Sequence, residues 1–289
     1  MEQLRKRCRQ AMVILCLFSI VLMTFPALSE NSALRGYTKE EGYVYLHLGE
    51  YKQTADGGVK PILWRVLTVD EEKAYLLSEY ILFARSMHTN LTEYAKVLKG
   101  DFAQTDLCHY LNNEFAEEAF TEEIMEMLLP CEEYGKVFLI SLKDIKNKKI
   151  GLGEVNVGTN SLKKIQANPG LRAWGTEWAI KNNGLSQEEY PNPKEKYIGR
   201  AGAKIDVGQM RLYVFQKKYG SCSPWWVRDQ AKTNKSQAMC SKDGGQMGRI
   251  EVGRDNEGVR PALYLAQGKY EIVSGSGTME DPYEIALKK

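Results

Sequence analysis

Ser223–Leu265 reads SPWWVRDQAKTNKSQAMCSKDGGQMGRIEVGRDNEGVRPALYL. Two adjacent tryptophans, Trp225 and Trp226, precede Arg228, and a second arginine, Arg260, sits in GVRPAL. Runs this short, punctuated by tight-turn signals, predict strands joined by hairpins; KDGG is the strongest, because Asp-Gly tolerates the positive φ angles of a type I′ turn. Successive side chains on a strand face opposite ways, so one tryptophan is expected in the core and the other partly exposed. The cluster reads first as structure, with guanidinium forks holding loop carbonyls or carboxylates inside the fold. Trp226 and Arg260 are assigned that role, with Trp64 and Arg65 of PILWRVL. Aromatic faces beside polar groups also suit sugar rings and cations. A ligand role falls on Trp225, Arg228, Asp229, Lys232 and Asn234, around the loop Asp229–Gln237.

Outward from this stretch, GYVYLHLGEY (Gly42–Tyr51) alternates as a half-buried strand does. Ile62–Val69 and Lys73–Ser78 read as a hairpin closed by DEE. Thr105 is an expected N-cap for DLCHYLNNEF, whose Leu107, Leu111 and Phe115 recur on one helical face. Thr121 caps EEIMEMLL, and Glu122 and Glu123 suit its positive N-terminal end. Lys136–Ser141 is a short apolar strand, Ser141 and Asp144 form a capping box, and GTEWAIKNNG reads as a helix from Thr176 stopped by Gly184. MRLYVF is a further strand candidate, and residues 150–215 are loop-rich, an expected insertion. The expected class is α+β in one domain over 30–267, with 268–289 as a tail.

Residues 1–29 read as an export signal: RKRCR, an apolar run from Ala11 to Phe25, then Ala27 and Ser29 before a cut ahead of Glu30. The run is shorter than the roughly 20 residues that span a bilayer, so membrane attachment is expected only if the segment stays uncleaved. The chain is therefore read as secreted or displayed at the cell surface. The formal net charge is +2, of which the signal contributes +3, so the remainder has no basic field to draw nucleic acid.

Export gives Cys108, Cys131, Cys222 and Cys240 an oxidising setting, and the pairings Cys108–Cys131 and Cys222–Cys240 are favoured for their nearness in sequence. Buried free thiols are the alternative. No C-x-x-C pair supports zinc. His47, His88 and His109 lie in neither a G-x-S-x-G nor an H-E-x-x-H setting, so no serine hydrolase or zinc protease is announced. GLGEVNVG lacks the strand and helix context of a dinucleotide site. Asp255, Asn256 and Glu257 offer oxygen ligands for calcium, but too few for a six- to eight-oxygen cage, and a solvated turn is the stronger reading. No cofactor is otherwise expected.

Taken in order, PILWRVL, AYLLSEYIL, DLCHYLNNEFAEEAF, KVFLIS, TEWA, WWVR and GVRPALYL resemble a bacterial extracellular domain family of unknown function. GSGTMEDPYEI resembles a segment that ends or links such secreted modules. This chain departs at Leu107-Cys108-His109-Tyr110, where the pattern has L-R-x-W, and at Asp229-Gln230-Ala231, where it has S-P-G. The W-W-x-R and G-V-R-P-A-L elements are similar to those of the C-type-lectin-like fold of formylglycine-generating enzymes. That implies a mixed sheet with flanking helices and a loop-rich C-terminal half. Export, the absence of catalytic motifs and a loop-rich half carrying tryptophan, tyrosine and arginine point to a non-catalytic binding module whose partner is a glycan or cell-surface protein. The alternatives are an enzyme using Cys222 and Cys240 or a structural envelope spacer.

Overall fold

Of the arginines in the opening stretch, Arg260 lies where the chain passes between the two sheets of this protein. The computed structural model describes residues 34–153, 169–187, 222–242 and 245–289. The expected signal, the MRLYVF strand and the central pair of KDGG lie outside these residues.

β1 (Val44–Lys52), β2 (Val59–Val69) and β3 (Lys73–Ser78) form an antiparallel meander. Asp70 closes the β2–β3 turn by accepting from the backbone N–H of Glu72 and Lys73, both at 2.9 Å. β2 is buried at six successive positions, Ile62 to Leu67, as a central strand covered on both faces must be. The sheet continues through β11 (Ala262–Ala266), which also pairs with β5 (Leu128–Leu129) and β6 (Val137–Phe138). On its other side β13 (Tyr283–Leu287) lies parallel to β1, with β12 (Tyr270–Ser274) beyond it. Residues 268–289, expected as a tail, thus extend the main sheet, and residues 34–289 cluster as one unit. Their hydrogen bonds to β1 form across more than 200 residues, beyond any local sequence signal.

The second sheet runs β4 (Phe83–Ala84), β10 (Gly258–Val259), β7 (Trp225–Gln230), β8 (Gln237–Ser241), β9 (Met247–Glu251). β8 and β9 form the hairpin expected around KDGG, with Ser241 opposite Met247. β7 sits mid-sheet, so Trp225 and Trp226 are both fully buried, which corrects the expectation that one would be partly exposed. Each indole N–H is satisfied: Trp225 donates to Leu171 O at 2.9 Å and Trp226 to Arg85 O at 2.7 Å.

Short helices connect the strands: α1 (Leu91–Lys96), α2 (Asp106–Asn112), α3 (Glu114–Ala119), α4 (Glu122–Met127), α5 (Leu142–Lys146) and α6 (Glu177–Asn182). The caps predicted at Thr105, Thr121 and Thr176 form, as does the Ser141–Asp144 capping box. DLCHYLNNEF, expected as one helix, breaks at Asn113 (φ −116°, ψ −93°), whose side chain bonds back to His109 O. Its neighbour Asn112 explains the loop after α4. It accepts from the N–H of Lys136 and Val137 and donates to the carbonyls of Cys108, Tyr134 and Val137. Gly135, at φ +80°, packs so closely on this amide that a Cβ would lie 2.3 Å from Asn112 Oδ1. Only Val137–Phe138 of KVFLIS pairs as a strand; Leu139–Ser141 turns away, buried, into α5.

The chain leaves the main sheet after β3 and rejoins it between β10 and β11, and these two of its crossings touch. Ser78 N–H donates to Pro261 O at 2.9 Å, and Arg260 donates to Ser78 O from Nε at 3.0 Å and from Nη2 at 2.8 Å. Arg260 stacks over Trp225 at 4.9 Å. Arg65 meets Glu79 in a buried fork, with Nε and Nη2 each 2.7 Å from a carboxylate oxygen. Burial pulls the Arg65 pKa down, but the Glu79 charge and hydrogen bond, together with Tyr43 and Tyr45, outweigh it and the net shift is upward. Burial, with the Arg65 charge, pulls Arg260 down to about 9.

Candidate functional site

A polar cleft of about 450 Å³ opens where the chain leaves β4 and passes over α2. Arg85 and Thr89 form one wall; Asp106, His109, Tyr110 and Asn113 form the other. Helical spacing places the latter four on one side of α2, opposite the Leu107–Leu111–Phe115 stripe that enters the core. Arg85 lies over the Tyr110 ring, 4.1 Å from guanidinium carbon to ring centre, and Tyr110 is held edge-on by Phe83 at 5.3 Å. The Trp226 indole fixes Arg85 from behind through its carbonyl. Trp226 therefore acts on this cleft as its foundation.

Asp106 anchors the opposite wall by accepting from Thr89 N–H and Thr89 Oγ1, both at 2.8 Å. Burial opposes its ionisation, but these bonds, helped by His88 and Arg85, outweigh it and its pKa falls below the usual carboxylate value. His88 lies buried beneath, 3.2 Å from Asp106 through Nδ1 and 3.6 Å from Glu93 through Nε2. The result is a shallow site with fixed donors, fixed acceptors and one aromatic–guanidinium stack, suited to a polar ligand with hydroxyls.

The residues singled out on sequence sit elsewhere. Trp225 is core. Arg228 is half-buried: it donates to Leu139 O, lies 3.5 Å from Asp144 and stacks over Tyr134 at 4.8 Å. Asp229 accepts from Leu142 N–H at 2.6 Å, at the start of α5. Lys232 and Asn234 are exposed, the latter folded onto Ser236. None of these lines the cleft. Trp64 is fully buried and donates to Leu48 O at 2.7 Å. Arg85, Asp106, Tyr110 and Asn113 escaped the sequence reading; Tyr110 stands where the family pattern has tryptophan.

Cys108, Cys131, Cys222 and Cys240 are all free, so the expected bridges do not form. Nearness in sequence misled: Cys108 faces Tyr134 O at 3.6 Å, Cys131 closes its own tight turn onto Gly135, and Cys240 lies on central β8 against Glu257. Burial pushes Cys108 and Cys222 up to about 11, and Cys240 higher still. Asp255 is exposed while Glu257 turns inward, so the candidate calcium ligands do not converge. Among the described residues no histidine, cysteine and carboxylate cluster is arranged to hold a metal, and no helix is long and apolar enough to cross a membrane.

An α+β chain of two sheets with a polar cleft between the segment after β4 and α2 is the class that these observations define. Residues 71–267 match the DUF6273 family, a domain of unknown function, and the chain belongs to that family. The match spans β3 to β11, so β1, β2, β12 and β13 complete the main sheet from outside it. No curated protein and no solved structure gives a significant match.

Proposed function

We propose that this chain is an exported, non-catalytic binding module that takes a hydroxyl-rich ligand, a glycan at the cell envelope or a host surface, in the Arg85–Tyr110 cleft. The carrying observation is the Arg85–Tyr110 stack, fixed from behind by Trp226 and faced by Asp106, His109 and Asn113. Sugar C–H faces pack on such a surface while hydroxyls meet fixed donors and acceptors. The basic and apolar character of residues 1–29 supports export. The pairing of β1 with β13, the first and last strands described, is in keeping with a C-type-lectin-like core. An enzyme working through Cys222 and Cys240 fits less well, because both thiols are buried and held protonated. In the loop Asp229–Gln237, Arg228 and Asp229 are committed to internal bonds, which leaves the cleft as the better ligand face.

A glycan array probed with the purified protein, followed by calorimetry on any hit, tests this reading. Arg85→Ala and Tyr110→Ala are each expected to weaken binding about tenfold or more with an unchanged near-ultraviolet circular dichroism spectrum. Wild-type affinity in both variants, or an array without hits, would refute it.

A further inference from the structure

Between Glu114 and Glu133 the chain carries eight glutamates and no lysine or arginine. The fold gathers most of this charge around an apolar trench. One groove, of about 610 Å³, lies between the β1 bulge, the end of α3 and β13; its floor is Leu48, Phe120, Ile124 and Ile285. A second, of about 600 Å³, continues along α4 over Ala116 and Met125. They share Phe120 and Glu117, so they are two ends of one trench turning about a single ring. The ring is placed by Gly49, at φ +69°, where a Cβ would lie 2.5 Å from Phe120. Its orientation is held edge-on by Phe115 at 5.9 Å.

The rim is one-sided in charge. Glu118 is paired with Lys52 at 2.5 Å and Glu284 with His47 at 2.6 Å. Lys136, the one lysine lining the trench, donates to Met125 O at 2.6 Å. Glu50, Glu117, Glu122 and Glu126 are exposed and make no ion pair among the described residues. We infer that this trench is a docking surface for an extended, lysine- or arginine-rich peptide segment of a partner protein, with an apolar side chain seated over Phe120. The cationic stems lie along the apolar floor while their charged ends reach the rim. A single exposed ion pair contributes little, so a lone small cation gains little here, whereas one chain meeting four carboxylates and the floor gains several such contacts together. The surface is separate from the Arg85–Tyr110 cleft and does not depend on the ligand assigned there.

The test is fluorescence anisotropy with a labelled peptide of alternating lysine and leucine around one phenylalanine, against an otherwise identical glutamate peptide. The lysine peptide is expected to bind and the glutamate peptide not to. Its affinity falls as salt rises. The double variant Glu117→Lys/Glu126→Lys weakens it about tenfold or more by reversing two rim charges. Ile124→Asp, a half-buried floor position, weakens it with the rim intact. Glu71→Lys/Glu72→Lys, on the β2–β3 turn, leaves binding unchanged. Equal binding by wild type and the Glu117/Glu126 variant overturns the proposal. So does equal loss in the Glu71/Glu72 control, or displacement of the peptide by spermidine as readily as by unlabelled peptide, since each reports charge without a groove.

Discussion

Replacing Glu79 by glutamine keeps the side chain's shape and removes its charge, leaving Arg65 and Arg260 together in the interior. The Arg65 and Glu79 side chains are each only 7% exposed, and Arg260 is fully buried. Both guanidiniums draw on this carboxylate: it raises Arg65 against the pull of burial and partly offsets the lowering of Arg260. An uncompensated buried charge costs about 3–5 kcal/mol, set against a total stability of about 5–15 kcal/mol. In a domain of this size that lowers Tm by about 6–20 °C. Urea unfolding followed by tryptophan fluorescence is the assay, since Trp64, Trp225 and Trp226 are fully buried and report the transition. The double variant Arg65→Met/Glu79→Met should be less damaging than Glu79→Gln, because the repulsion between the two arginines leaves with Arg65. A Glu79→Gln protein within about 1 kcal/mol of wild type, or a double variant worse than the single, refutes the reasoning.

Asn112→Ala, which strips five hydrogen bonds from the α2–Gly135 corner, should destabilise by about 3 kcal/mol or more, measured by the same unfolding assay. Trp226→Phe deletes the bond to Arg85 O and should cost about 1–2 kcal/mol, while lowering affinity for any cleft ligand more than Thr105→Ala, a cap variant of similar stability cost, does. The thiols give a pH dependence: the folded-state values of Cys108 and Cys222 lie at about 11, above the ordinary 9.0, so the unfolded chain releases these protons first. Their contribution is complete below about pH 9 and is lost as pH rises to about 11. Stability against urea should therefore fall across that window, and less steeply in Cys108→Ala/Cys222→Ala. An identical slope in that variant would exclude the thiols as its source.

Much of the local structure was legible because its causes are local. Thr105, Thr121, Thr176 and the Ser141–Asp144 box cap helices within three or four residues of themselves, and Asp70 closes its own hairpin. The cleft was not legible. Arg85 and Tyr110 are 25 residues apart in the sequence, and Trp226, which steadies the first, is 141 residues away. Cysteine pairing failed for the same reason: Cys240 stands opposite Trp226 in the β7–β8 register, and Cys222, ahead of β7, is left unbridged.

The amino-acid order by itself determined the β2–β3 hairpin, the α+β class and the caps, because hydrogen-bond competition within a few residues decides those. Tertiary structure alone decided that both tryptophans are buried, that Arg65, Glu79 and Arg260 share one interior, and that residues 268–289 join the main sheet. These depend on which distant surfaces exclude water together. Arg260 and Ser78 meet across 182 positions, and a partner at that range is set by packing of the whole chain rather than by either neighbourhood.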